Sequence, residues 1–374
     1  MKILQVIGGL ASSSGTTPAV LALSNRLADA GHHVDIFYVS GRTLDTVKPS
    51  NPQVRLEGFP LTGPRLWAGS RSLYEALMAR AGDYDLVHGY SLWLFTNIAV
   101  SRACRRAGRP YIISPQGALD DWAFRHHGLR KQIYAALIER RLLNSAACIQ
   151  CVTPHEASLV QKFAVNATTV VIPNGVEISS FDATRREYPM EVLFLSRLHP
   201  KKGLDILIPA FALAKKECPG IRLTIVGGDG GSGYRAAVEA LLSSQGLNDC
   251  VRLTGELRDA EKTAAFESAG IYVLTSRSEG HPLAALEAME RGLPVIITPQ
   301  CYLPEVAEMG AGIVAEPDVT EVARAIVRLA SSLEARRQMG CTGRRLIEER
   351  FSADRVASLQ LKLYKETASK YGRN

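Results

Sequence analysis

Two doubly wound α/β domains, each built on a parallel sheet, are what this 374-residue chain encodes. Three observations lead there. Short apolar strand patterns alternate with helical patterns along the whole length. The alternation breaks at a Pro-Asn-Gly turn and starts again at Glu191. Several strand patterns run straight into loops of glycine and other small residues, at the strand ends where open α/β sheets bind ligands. The first domain is assigned to residues 1–174 and the second to 175–352, with a last helix over 353–374.

Residues 2–7 form the first strand, which ends in the loop Gly8-Gly-Leu-Ala-Ser-Ser-Ser-Gly15. A helix follows from about Thr16 to Ala30 and stops at Gly31. Gly8 and Gly9 allow close backbone approach to a ligand. The spacing is not G-x-G-x-x-G, and no acidic residue closes the next strand, His33–Val39, where a dinucleotide ribose needs one. Further strands fall at about 53–57, 85–88 and 110–114, with helices near 68–81 and 93–107. Two of these strands end in candidate ligand contacts, His88 and Gln116; a structural strand-end histidine is the competing reading for His88. His126 and His127 lie in an amphipathic segment and rank below them. A helix at 130–144, a strand over Ala147–Val152, a helix from Pro154 and a strand at 169–172 complete the domain. Cys148 and Cys151 lie in that apolar strand, and no second pair completes a zinc site, so they read as reduced core residues. Ile172-Pro-Asn-Gly-Val176 is a turn and the expected hinge, where Asn174 and Gly175 tolerate left-handed angles.

The second domain repeats the pattern, with strands at 191–196, 221–226, 250–254, 270–274, 294–298 and 311–315. After the first of these comes Arg197-Leu-His-Pro-Lys-Lys202-Gly, and a helix then starts at Leu204. Two cations are held between a strand end and a helix start, where backbone N–H groups and the helix dipole also favour an anion. That suits a phosphate; a solvated basic loop is the plainer reading. Gly227 and Gly228 end the next strand and let a nucleotide lie against backbone. Thr275 is followed by Glu279-Gly-His281-Pro282-Leu283-Ala-Ala-Leu-Glu287. Pro282 suits the first helical position and Gly292 the position past the end. Glu287 falls one turn beyond Leu283, on the same face. A carboxylate on an apolar face needs a partner. None is evident in the local sequence, and a ribose or sugar hydroxyl would serve. The alternative is a helix-capping Glu279 and a core Glu287 bonded to backbone.

Taken together these residues resemble the retaining glycosyltransferases of family 4, whose two Rossmann-like domains face across a cleft in the GT-B fold. The family's donor site carries an Arg and a Lys five residues apart, here Arg197 and Lys202. It also carries two Glu residues flanking seven others, here Glu279 and Glu287. The resemblance implies that Arg197, Lys202 and Glu279 act in catalysis. It implies a donor site completed by Gly8, Gly9, Asn174, Gly227, Gly228, Leu257, His281, Pro282, Leu283 and Glu287. His88 and Gln116 fall on the acceptor side. Many relatives have His where Gln116 stands, and Gln cannot carry a proton, so acid–base work there is not expected. At His281 the family more often has an aromatic or aliphatic residue, which bears on sugar preference. The last helix is similar to the one that crosses back to the first domain.

On that resemblance the reaction expected is transfer of a sugar from a UDP- or GDP-linked donor to a glycan or lipid-linked acceptor, with retained configuration. The setting expected is bacterial surface polysaccharide assembly. No cofactor is expected: no Asp-x-Asp metal motif is apparent in a strand-end loop, and the protein's cations take the metal's place. A nucleotide-sugar epimerase of the same fold, a hydrolase using Glu279 and Glu287, and a non-catalytic nucleotide-sugar binder are the rivals. Composition is ordinary for a globular protein, 46% hydrophobic and 22% charged. The N-terminus is too short and badly flanked for a signal peptide, which places the chain in the cytoplasm. Net charge is +7, of which residues 1–180 carry about +6. The basic clusters are Arg102, Arg105, Arg106 and Arg109, then Arg125, Arg130, Lys131, Arg140 and Arg141. No nucleic-acid module accompanies them. They point to an anionic membrane surface at the inner face of the cell membrane or to a phosphorylated lipid acceptor, unless they form only a solvated face.

Overall fold

The computed structural model describes residues 1–11, 15–42, 47–119, 138–181 and 187–371. The chain divides into two compact units: Met1–Glu177 with the segment from Ala353, and Ile178–Ser352.

Unit 1 holds seven parallel strands: β1 Lys2–Ile7, β2 His33–Ser40, β3 Arg55–Pro60, β4 Leu86–Tyr90, β5 Tyr111–Ser114, β6 Cys148–Cys151 and β7 Thr169–Val171. Their order is β3-β2-β1-β4-β5-β6-β7. Ile3 pairs with Val34 on one side and Leu86 on the other. The order therefore reverses between β1 and β4. The central strands are buried on both faces, as a parallel sheet requires when helices cover it twice. Among the described residues the α-helices are Thr16–Asp29, Arg71–Arg80, Phe95–Ala107, Arg140–Ser145, Pro154–Phe163 and Ala353–Tyr371. Two starts have side-chain caps. Ser70 accepts from the Leu73 N–H, and Thr153 accepts from that of Glu156, with Pro154 in the first turn. Helix Ala353–Tyr371 packs against Thr16–Asp29. Arg26 fastens that contact by pairing with both Glu177 and Asp354, the latter at 3.1 Å.

Unit 2 holds six parallel strands: β8 Glu191–Leu195, β9 Arg222–Val226, β10 Val251–Gly255, β11 Ile271–Leu274, β12 Val295–Ile297 and β13 Gly312–Val314. Their order is β10-β9-β8-β11-β12-β13. Here the reversal lies between β8 and β11. Phe194, Phe211, Phe266 and Tyr272 are fully buried in its core. Glu290 is buried there too, and its carboxylate accepts from Arg344, Arg291 and the backbone and hydroxyl of Ser179.

Some local expectations are corrected. The third strand starts at Arg55, later than the apolar pattern placed it, because Asn51 and Gln53 make a side-chain turn first. At the Pro-Asn-Gly turn neither Asn174 nor Gly175 takes a left-handed angle. Gly175 is there for space: a Cβ would lie 2.9 Å from the Ala353 Cα. Of the helix placed at 130–144, only the part from residue 138 is described, and it is helical over Arg140–Ser145. No helix among the described residues is long and apolar enough to cross a membrane.

Candidate active site

In unit 2 the loops after β8 and β11 leave neighbouring strands at the point where strand order reverses. That is where doubly wound sheets open a ligand crevice. These two loops carry Arg197, Lys202 and Glu279. They are sewn together by backbone. Arg277 N–H donates to the Lys201 carbonyl at 2.8 Å, and the Thr275 hydroxyl to the Gly203 carbonyl at 2.8 Å. Gly203 adopts φ +74°, and a Cβ on it would lie 1.9 Å from the Thr275 oxygen. Gly227 is equally tight against the Ser196 oxygen. Both glycines are required by contact between loops, whatever a ligand asks of them.

The Lys202 ammonium donates to Glu279 at 2.5 Å, with side chains 12% and 9% exposed. Burial pushes the Glu279 carboxyl up. The Lys202 charge and hydrogen bond, a Ser276 hydrogen bond and the Lys201 charge outweigh it, and the group ends below the ordinary carboxylate range. Glu279 is therefore an anion at neutral pH. An ammonium has three N–H donors, so two remain on Lys202 for a ligand. Arg197 is exposed, and among the described residues it makes no hydrogen bond or ion pair. One cation is thus pre-oriented and the other is open to a ligand, beside the start of helix Leu204–Glu217.

Glu287 corrects an expectation. Its helix runs Leu283–Glu290 with Pro282 at the cap, one residue later than anticipated, because the Leu283 N–H turns back to the His281 carbonyl at 3.0 Å. The face shared by Leu283 and Glu287 is only half-buried, and Glu287 has a protein partner. The Lys262 ammonium meets its two oxygens at 2.8 and 2.6 Å. Lys262 gave no signal in sequence, lying 25 residues away on helix Asp259–Glu267. His281 is half-buried against Phe351, ring centroids 5.7 Å apart, and its Nδ1 is buried without a partner. Burial lowers its pKa to about 4, against the pull of Glu279, so the ring is neutral. Leu257 lies half-buried in the loop after β10, and Gly228 accepts from the Leu198 N–H at 2.9 Å. Among the described residues no group of three or more His, Cys, Asp or Glu could hold a metal ion.

In unit 1, His88 is removed from the candidates. It is fully buried, and both ring nitrogens are taken: Nδ1 by the Tyr364 hydroxyl at 2.5 Å and Tyr90 at 3.1 Å, Nε2 by Ser114 at 2.7 Å. Burial lowers its pKa to about 3, so it stays neutral. Its role is to tie β4 and β5 to the last helix. Gln116 and Asn174 pair through both amides, at 3.1 and 3.4 Å. They line one cavity with Tyr90, Gln150 and Gln360. Gln116 is held at φ +55°, with Ser91 and Trp93 at +64° on the neighbouring loop. Strain of this kind in non-glycine residues gathers at functional rims. Gly8 is packed from within: a Cβ would lie 2.7 Å from Arg42 and Leu94. Gly9 is half-buried beside it. His126, His127, Arg125, Arg130 and Lys131 lie outside the described residues. Two buried carboxyls, Glu139 and Glu156, were not anticipated. Burial raises each to about 7, only partly offset by backbone N–H donors.

Two family profiles cover most of the chain. One described as Glycosyl transferases group 1 matches residues 176–346, and one described as Glycosyl transferase 4-like domain matches 14–175. The chain belongs to the group 1 glycosyl transferases of GT-B fold. Its relatives include a D-inositol 3-phosphate glycosyltransferase of Salinispora arenicola, 27% identical over 97% of this chain and 90% of that one. Another is a GDP-mannose:cellobiosyl-diphosphopolyprenol alpha-mannosyltransferase of Xanthomonas oryzae, 25% identical over 75% of each. Among solved structures, Anabaena Alr3699/HepE in complex with UDP and glucose shares the fold. Its TM-score is 0.77, with 18% identity over 98% of this chain and 99% of that one. In this group 1 glycosyl transferase each glutamate is held by a lysine, which speaks against a hydrolase pair. A hydrolytic acid needs a raised pKa, whereas Glu279 is held low and Glu287 sits on a lysine.

Proposed function

We propose that this glycosyltransferase moves a sugar from a UDP- or GDP-linked donor to a hydroxyl of a glycan or lipid-linked acceptor, with retention and without a divalent metal. The observation that carries the reading is the charge layout in unit 2: open Arg197 and oriented Lys202 at a helix start, at the switch point of the sheet. A donor diphosphate bound there is neutralised as it departs, by charges already in place. The bond from the anomeric carbon to the phosphate oxygen breaks. A bond to the acceptor oxygen forms on the same face, and the acceptor's proton passes to the leaving diphosphate. Glu279 accepts from donor-sugar hydroxyls, Glu287 from the ribose, and the Gln116–Asn174 amides serve the unit 1 side.

The relatives support the donor class: one was solved with UDP and glucose, and another is named for GDP-mannose. That second relative's acceptor is a diphosphopolyprenol, which supports a lipid-linked acceptor and bacterial surface polysaccharide assembly. The basic half of the chain supports peripheral binding to the inner face of the membrane. Arg102, Arg105 and Arg106 are exposed, with no ion pair among the described residues. They lie toward the end of helix Phe95–Ala107, ahead of β5, and so away from the strand-end loops that carry Gly8 and Gln116.

The reading is tested by incubating the protein with UDP- and GDP-sugars and polyprenyl-diphosphate or glycan acceptors, with and without EDTA. The expected product is a glycoside of the donor's own anomeric configuration by NMR, formed at the same rate with chelator. An inverted glycoside, a need for added magnesium, or an altered free nucleotide-sugar overturns the corresponding part. Vesicle sedimentation tests the membrane. Anionic vesicles should bind the chain more strongly than neutral ones, by about 1 kcal/mol per basic residue near the surface.

A further inference from the structure

Lys262 and Glu287 stand on helices that follow β10 and β11. At 2.8 and 2.6 Å from the two carboxylate oxygens, the ammonium faces the fork of the carboxylate and not one oxygen alone. A carboxylate offers about four lone-pair sites. A cation in the fork occupies the two inner ones and leaves one outward site on each oxygen. Two adjacent acceptors suit the two O–H donors of a vicinal diol. The lysine is itself positioned. Its ammonium lies 6.0 Å from the ring of Phe266, one turn further along its helix, and Phe266 is fully buried. The Arg291 guanidinium lies 5.0 Å from the same ring and donates to the Glu287 carbonyl at 3.3 Å. The pair is 34% and 27% exposed, a setting in which ion pairs add little stability. What it adds is a fixed direction for the free lone pairs.

We propose that Lys262 is a positioning residue that sets nucleotide specificity. It locks Glu287 in the orientation that engages both hydroxyls of a ribose, so that ribonucleotide donors are selected over deoxyribonucleotide ones. This rests on the reading that Glu287 meets the donor's ribose.

The test is calorimetric titration of the full chain with UDP, GDP and their 2′-deoxy and 3′-deoxy forms. The wild type should bind its ribonucleotide about ten-fold or more tighter than either deoxy form, the scale of one hydrogen bond to a charged group. Lys262→Met should cut that ratio to about two-fold while its melting temperature stays close to wild type, as loss of a partly exposed pair implies. Lys262→Arg should keep most of the ratio. A wild-type ratio in Lys262→Met, or a wild type that binds ribo and deoxy forms alike, overturns the proposal. Glu287→Gln separates the layers. Unchanged UDP and GDP affinity in that variant, or no binding of either by the wild type, removes the ribose reading itself. Weakened affinity there with an intact ratio in Lys262→Met overturns only the role of Lys262.

Discussion

The strand-end loops of the two units are made of different chemistry. Those of unit 2 are ionic: they hold an open arginine and the Lys202–Glu279 pair, with the Lys262–Glu287 pair on the helices that follow. In unit 1 Arg42 stands beside Gly8, but the cavity at Gln116 is lined by neutral groups. Four carboxamides line it, an uncharged His88 stacks on its Tyr90, and burial raises the carboxyls of Glu139 and Glu156 to about 7. A diphosphate presents the same charge whatever sugar it carries, and fixed charges suit it. On the proposed function, the neutral amides read the hydroxyls of an acceptor, which vary.

The largest expected effect breaks the ionic side. Arg197→Ala and Lys202→Ala should each lower kcat by about 10²-fold or more, the scale for one preorganised donor. They should differ in stability. Arg197→Ala should melt like wild type. Lys202→Ala strands a buried Glu279 and should lose about 3 kcal/mol. Parallel turnover assays and urea melts check both, and equal melting of the two variants would mean that the Lys202–Glu279 pair is not internal support.

The next effect tests the neutral side. His88→Leu takes one partner from the hydroxyls of Tyr364 and Ser114, which keep Gln5 and Gln150, and should cost about 1–3 kcal/mol in all. Nucleotide affinity should stay at the wild-type value. A variant of unchanged stability with weakened nucleotide binding would return His88 to the site.

The smallest effect sharpens the contrast through pH. Glu279 has a lowered folded pKa, so its contribution is present above the ordinary carboxylate value of 4.5 and is lost as pH falls below it. Glu139 is raised to about 7. Between 4.5 and 7 the folded state holds a proton that the unfolded state has released, so its cost grows as pH rises and is complete above about 7. Glu139→Gln should therefore gain stability relative to wild type at pH 8 and not at pH 4.5. Hydrogen exchange of the β4 and β5 amides reads this out, and identical pH profiles for variant and wild type would count against a carboxyl held protonated.

Much of this was legible in the residues. Apolar periodicity placed nearly every strand, because parallel strands buried on both faces leave unmistakable runs. Arg197, Lys202 and Glu279 were readable because each lies at a strand end beside a glycine or a helix start. What failed were properties of pairs. Glu287 has no partner on its own helix, and Lys262 arrives from another, which no local pattern reveals. For His88 the structural reading holds, but its partners are out of local view, since the hydroxyl on its Nδ1 lies 276 residues away. The buried carboxyls were invisible for the same reason: burial of Glu139 and Glu156 is decided by neighbours, not by spacing.

The knot around Glu290 bears on how such chains can be recombined. Arg344 donates to the Glu290 carboxylate at 2.9 Å, to its carbonyl at 2.6 Å and to the Ser179 carbonyl at 2.7 Å. The first residues of unit 2 are thereby clasped by one of its last helices, from inside the unit. A transplanted second half would bring its own clasp, provided the junctions fall before Ser179 and after Arg344. A junction between them would pair one parent's arginine with another parent's glutamate pocket. Chimeras cut outside the clasp should fold, and chimeras cut inside it should expose a buried guanidinium to the wrong neighbour.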